Sequence, residues 1–168
     1  MDESEATAPS PEIWAMGLAE RRLWLSLLAV TSGLVPRLDE HHREQFGISH
    51  HEYTVLIMIA ESERATAELS SVARRADASL SRISYTVRRL ERDGLVLLAR
   101  SDRDGRATTA TLTDHGAALL ERAARGAMAE AQRLVFEPLT KEQQGALTEI
   151  CLTLLSSWNP DDPHPWVR

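Results

Sequence analysis

The chain has 168 residues and 18.7 kDa, enough for one domain or a small domain with helical arms. Hydrophobic residues make up 43% and charged residues 26%, the balance of a globular protein, and no apolar run reaches the roughly 18 residues that a membrane helix needs. A single cysteine, Cys151, excludes an internal disulfide framework and a cysteine-built zinc site, and the acidic start, Met1 to Pro11, excludes a secretory or Arg-rich transit signal, so the expected compartment is the cytoplasm.

The net charge of −6 is unevenly spread. Between Arg64 and Arg106 stand ten arginines against six acids, so that span carries +4 and the remainder −10. A basic centre in an acidic chain points to a polyanionic partner for that centre alone.

In chain order, residues 1–10 read as an acidic tail. Ser10 and Pro11 suit the start of a helix that runs to about Gly33, apolar on more than one face through Ile13, Trp14, Leu18, Leu23, Trp24, Leu25, Leu27 and Leu28. A helix apolar nearly all round, in a chain this small, predicts contact with a second subunit. Pro36 predicts a break, and a short helix from Leu38 to about Phe46 ends at Gly47. Ser49 with Glu52 three residues on forms a capping-box pattern ahead of an apolar helix, Tyr53 to about Ser62.

Thr66 opens a helix that carries Leu69, Val72 and Ala73 and ends near Ala76. Asp77-Ala78-Ser79 reads as a tight turn and cap. The next helix has Leu80, Ile83, Val87 and Leu90 as its core seam and closes at Asp93-Gly94. Leu95–Arg100 and Ala107–Leu112 read as two strands around a loop containing Asp-Gly, a β-hairpin. Thr113 and Asp114 start a long helix to about Phe136, with a stripe of Ala117, Leu120, Ala124, Ala127, Met128 and Ala131; Pro138 ends it. Thr140 and Gln143 cap a last helix bearing Leu147, Ile150, Cys151, Leu154 and Leu155. Cys151, on that apolar face, is expected to be a buried small hydrophobe.

Helix, turn, helix and hairpin over 66–112 make a winged helix-turn-helix. The fold class is mainly α with a small β-hairpin wing, joined to a helical dimerisation region. The expected divisions are a tail at 1–10, helical dimerisation segments at 11–46 and 113–156, a winged DNA-binding domain at 47–112, and an irregular tail at 157–168. Opposite its seam the second helix offers Ser81, Arg82, Ser84, Tyr85, Arg88 and Arg89, with Ser79 at its cap. Arginine forks can bond guanine, and serine hydroxyls reach bases or phosphates. The hairpin tip adds Arg103 and Arg106, with Asp104 able to hold an arginine in one direction; a narrow minor groove attracts arginine.

The run Leu90-Glu91-Arg92-Asp93-Gly94-Leu95-Val96, followed by Asp102-Arg103-Asp104-Gly105-Arg106 and Leu112-Thr113, resembles the MarR family of bacterial transcription regulators. The entry Ile48-Ser49 with Tyr53, Val55 and Leu56 is similar to that family's helix before the DNA-binding motif, and the order of elements matches over about 11–156. The resemblance implies a homodimer on a pseudo-palindromic double-stranded DNA operator, and repression relieved by a small, often aromatic or phenolic, effector. It places Arg106 at the minor-groove position and Asp104 at its acidic partner. Tyr85 stands where an arginine is common, so the base preference does not carry over. By the same analogy Trp14, Trp24, His41, His51, Tyr53 and Met58 are effector-pocket candidates.

Two alternatives stay open. His41, His42, His50 and His51, with acids nearby, would suit a zinc-responsive regulator, although neighbouring helical histidines diverge by about 100° and no paired-ligand spacing is present. The winged unit could instead meet an acidic protein. No Gly-rich phosphate loop, GxSxG elbow or HExxH motif is present, so neither an enzyme nor a cofactor is expected.

Overall fold

A computed structural model describes residues 16–101 and 107–158 of the chain. Two compact units emerge, residues 1–36 and 37–168. Helix α1, Leu18–Phe46, is a single helix with Pro36 inside it, where the sequence predicts two helices. Proline removes one intrahelical hydrogen bond; the helical bonds on either side of it persist. Ser10, Pro11 and Trp14 lie outside the described residues.

In the first unit, α1 leaves large apolar side chains open, among them Leu18 at 88%, Leu23 at 72% and Val30 at 63% exposure. Trp24 is nearly half exposed.

The second unit carries the core. Helix α2, His50–Ala60, starts at the expected capping box: Ser49 Oγ accepts from the Glu52 N–H at 3.1 Å, and Glu52 Oε2 accepts from the Ser49 N–H at 2.7 Å. Its Val55, Leu56, Met58 and Ile59 are fully buried. Beyond a short 3-10 turn, Thr66–Glu68 forms strand β1, where the sequence predicts the start of a helix. Three residues carry no strand periodicity. Pairing with a distant segment decides them, Thr66 opposite Thr111 and Glu68 opposite Thr109.

Helix α3, Leu69–Arg75, and helix α4, Leu80–Arg92, flank the turn. Asp77 sits there at φ 46°, a left-handed conformation that aspartate tolerates better than most residues. The Ala78 N–H bonds the Ala73 carbonyl at 3.0 Å and the Asp77 N–H bonds that of Arg74 at 3.3 Å, a Schellman closure. Gly94, at φ 71°, closes α4 in the same way: Leu95 N–H reaches the Leu90 carbonyl and Gly94 N–H that of Glu91, each at 2.9 Å. Strands β2, Val96–Arg100, and β3, Thr108–Leu112, form the wing ladder, and the sheet order is β1-β3-β2, all antiparallel.

Helix α5, Asp114–Ala131, is capped by Thr113 and continues into a π-helical turn, Gln132–Phe136. Its buried positions are Gly116, Leu119 and Ala123; of the predicted stripe, Leu120, Ala127 and Ala131 are half-buried, while Ala117, Ala124 and Met128, the last 65% exposed, lie outward. The apolar periodicity of α5 therefore serves two faces. Gly126 lies where an added Cβ would come within 2.6 Å of the Phe46 ring, so its lack of a side chain seats Phe46. Helix α6, Lys141–Trp158, buries no residue, and Cys151 is exposed instead of forming part of a core. The prediction failed because, among the described residues, no layer covers the last helix closely enough to bury a side chain.

Candidate nucleic-acid interface

Helix α4 rests on the core through Ile83, Val87 and Leu90, each 0% exposed, and through Thr86, whose hydroxyl donates to the Arg82 carbonyl at 3.0 Å. At 100° per residue, this fixes the opposite face. Ser81, Tyr85, Arg88 and Arg92 recur at steps of four, three and four and are all exposed. The Tyr85 ring is 73% exposed. Arg82 is also exposed, on one flank, and Ser84 is half-buried on the other. Arg92 was not among the sequence candidates; counting the helical period one turn beyond Arg88 would have found it.

Leu80 departs from its expected place. It is 52% exposed rather than part of the seam. Ala76 and Ala78, from the turn before it, are partly buried against the core.

Ser79 works within the helix end. Its Oγ accepts from the Arg82 N–H at 3.3 Å and shares a hydrogen bond with Ser81 Oγ at 3.0 Å. Arg89 is half-buried, and its Nε lies 3.0 Å from Glu52 Oε1, whose side chain is only 5% exposed. One carboxylate thus caps α2 and anchors α4. The capping box was legible; the partner of its second oxygen, 37 residues away, was not. Arg75 adds a similar tie, from its two terminal nitrogens to the Met58 carbonyl at 2.8 Å and Glu61 at 2.7 Å. Two arginines of the basic span, Arg75 and Arg89, are therefore structural ties.

The wing ladder ends at Ser101, whose N–H bonds the Ala107 carbonyl at 2.9 Å. The candidates Arg103, Asp104 and Arg106 lie outside the described residues.

The arrangement of helix α3, turn, helix α4 with an exposed Ser/Tyr/Arg face, and antiparallel wing is that of a winged helix-turn-helix. A profile of the MarR family matches residues 46–107. A MarR family transcriptional regulator from Streptomyces coelicolor, Sco3205, solved in complex with DNA, is 33% identical, with a TM-score of 0.80 over 91% of this chain and 99% of that one. The chain belongs to the MarR family. AbsC, another MarR family regulator from Streptomyces coelicolor, is 25% identical with a TM-score of 0.79 over 87% of this chain and 98% of that one. A MarR-like regulator from Bacillus cereus, at 24% identity and a TM-score of 0.73 over 85% and 100%, shares the fold. No curated protein sequence matches the chain. MarR family proteins are transcription regulators, and this chain is one of them. Among the described residues no helix is long and apolar enough to cross a membrane.

The histidines of this MarR chain gather at the corner between α1 and α2. His42 is fully buried, with its ring centroid 4.4 Å from Tyr53 and 5.2 Å from His50. Its Nδ1–H donates to the Leu38 carbonyl at 2.6 Å, while its Nε2 has no hydrogen-bond partner. His41 Nε2, His50 Nδ1 and His51 Nε2 are likewise buried and unbonded. Burial holds the imidazoles of His42, His50 and His51 below the ordinary histidine value, and the charge of Arg82 adds to the effect on His51. No three His, Cys, Asp or Glu groups among the described residues are placed to hold a metal ion.

Of the effector-pocket candidates, His41, His51 and Tyr53 are half-buried. Met58 is fully buried in the core, where close packing leaves it no open surface. Trp24 belongs to the first unit, and Trp14 lies outside the described residues. His41 borders a groove of about 320 Å³ with Arg37, Glu40, Glu44, Glu130 and Arg133, a lining more polar than an aromatic effector prefers.

Proposed function

We propose that this protein is a homodimeric, sequence-specific DNA-binding transcription regulator of the cytoplasm, and a repressor released by a small effector. The observation that carries DNA binding is the exposed Ser81, Tyr85, Arg88 and Arg92 face of α4, set opposite its buried seam. That the Streptomyces coelicolor relative was solved with DNA supports the same reading. Residues 47–112 act as the winged DNA-binding domain, and 11–46 with 113–156 as the dimerisation region. Open apolar side chains support the dimer: Leu18 and Leu23 on α1, Met128 on α5, and Leu147 and Ile150 on α6.

In the dimer two α4 helices enter successive major grooves, with half-sites centred about 10 bp apart. Arginine–phosphate contacts supply most of the affinity and make it salt-dependent. Ser81, Arg82, Ser84, Tyr85 and Arg88 read bases, and Arg106, oriented by Asp104 and flanked by Arg103, enters the minor groove. Net negative charge elsewhere limits non-specific binding. A small aromatic or phenolic effector acts by favouring a lobe spacing that mismatches the half-sites.

The test is a titration against the duplex upstream of the protein's own gene and a scrambled control, at two salt concentrations. Tight, salt-sensitive binding to the native duplex alone is expected. If neither that duplex nor any sequence selected from a random pool binds, the regulator reading fails in favour of a protein partner for the winged unit. Ile150→Glu with sedimentation analysis tests the dimer, and a screen of phenolic acids for release of the bound duplex tests the effector.

A further inference from the structure

Leu80 is the one residue of the predicted α4 seam that the fold turns outward. Ile83, Val87 and Leu90 are fully buried, while Leu80, in the first turn, is 52% exposed. Ala76 and Ala78, just before it in the chain, pack against the core instead. Leu80, Ser84 and Arg88 are spaced four residues apart, so they form one stripe along the helix. That stripe runs beside Ser81, Tyr85 and Arg92. An apolar side chain therefore opens the face on which serine and arginine follow.

Side chains at the N-terminal end of a recognition helix are those that reach base edges. A leucine there can neither donate nor accept a hydrogen bond. The one apolar group that B-DNA presents in the major groove is the C5-methyl of thymine. We propose that Leu80 is a specificity-determining residue that selects thymine by burying its own methyl groups against that C5-methyl. The proposal rests on the DNA-binding reading and deepens it, by naming what the first turn of α4 reads. A leucine that merely lay against the sugar–phosphate backbone would not distinguish thymine from uracil, because the two differ only by the base methyl.

This difference provides the test. The full-length wild-type protein first selects a duplex from a randomised pool. Each thymine of that duplex is then replaced, one at a time, by deoxyuridine, and binding of wild type, Leu80→Ala and Leu80→Met is titrated. For wild type, one thymine per half-site is expected to lose about fourfold in affinity on conversion to uracil, the worth of one buried methyl. Leu80→Ala, which removes the contact from both half-sites of the homodimer, is expected to bind the thymine duplex about sixteenfold more weakly and to ignore the uracil exchange at the same position. Leu80→Met, which keeps the apolar reach, should retain the discrimination. Because Leu80 is exposed, the variants should match wild type in thermal midpoint, and the measured midpoint verifies this.

Selection of a tight duplex followed by indifference to every uracil exchange overturns the thymine contact and leaves DNA binding intact. Undiminished uracil sensitivity in Leu80→Ala overturns the assignment to Leu80. Failure of wild type to enrich any duplex removes the DNA-binding reading itself and this inference with it, and it is seen before any uracil is introduced.

Discussion

Glu52 and Arg89 form an ion pair that ties helix α2 to helix α4. One carboxylate oxygen accepts from the backbone and hydroxyl of Ser49 at 2.7 and 2.8 Å, and the other lies 3.0 Å from Arg89 Nε. The acid is almost fully buried, so its oxygens depend on these partners for their hydrogen bonds. Glu52→Ala should cost about 1–3 kcal/mol, through loss of the cap and exposure of Arg89 without its partner. Urea unfolding measures this, and a cost below about 0.5 kcal/mol would contradict the assignment.

Gly116 controls how α5 docks. A Cβ at this position would lie 2.1 Å from the Leu95 carbonyl oxygen, a backbone atom that cannot swing aside. The same carbonyl accepts from Thr113 N–H and Thr113 Oγ1, both at 3.1 Å. Gly116→Ala is therefore expected to destabilise by about 2–4 kcal/mol or to abolish folding, as overpacked cores do. Gly145, on α6, has nothing within 4 Å of its Cβ position. Gly145→Ala should instead be neutral or gain up to about 1 kcal/mol, from helix propensity. Equal effects of the two substitutions would refute the steric argument.

Stability should fall on mild acidification. His42, His50 and His51 have lowered pKa values, burial being the largest cause in each case. Between the ordinary value of 6.5 and the lower folded value, the unfolded chain binds more protons than the folded chain. Stability therefore rises with pH across that window, is complete above 6.5 and declines below it. The thermal midpoint should drop between about pH 7.5 and 5.5, before most carboxylates titrate. His42→Phe, which removes the most buried imidazole, should flatten the drop. A midpoint that holds or rises on acidification would refute it.

Arg88 and Arg92 occupy one exposed stripe and are expected to act differently. Arg88, at mid-helix, should read a base, so Arg88→Ala should relax preference at one position at a cost of about 1–3 kcal/mol. Arg92, in the last turn, should meet phosphate, so Arg92→Ala should weaken all sequences alike and reduce the salt slope of the dimer by about 2, one for each protomer. Titrations of both variants on the selected duplex and on single-base changes, at several salt concentrations, separate the roles. Equal losses on every duplex for Arg88→Ala would sink its base-reading role.

Local signals were enough for much of this protein. The Ser49/Glu52 box, the Asp77 turn, the Gly94 stop and the two wing strands all lie within a few residues of their causes, so the helix-turn-helix and its wing were legible before any coordinates. The polar face of α4 followed from its period alone. Tertiary structure decided the rest. The strand at Thr66–Glu68 exists only because β3 lies beside it, and Leu80 is exposed although its spacing matches the buried seam. Arg89 looks like Arg88 in the sequence, yet one meets Glu52 and the other does not, since that choice rests on a helix 37 residues earlier. Periodicity assigns a side chain to a face of its own element; only packing decides what, if anything, covers that face.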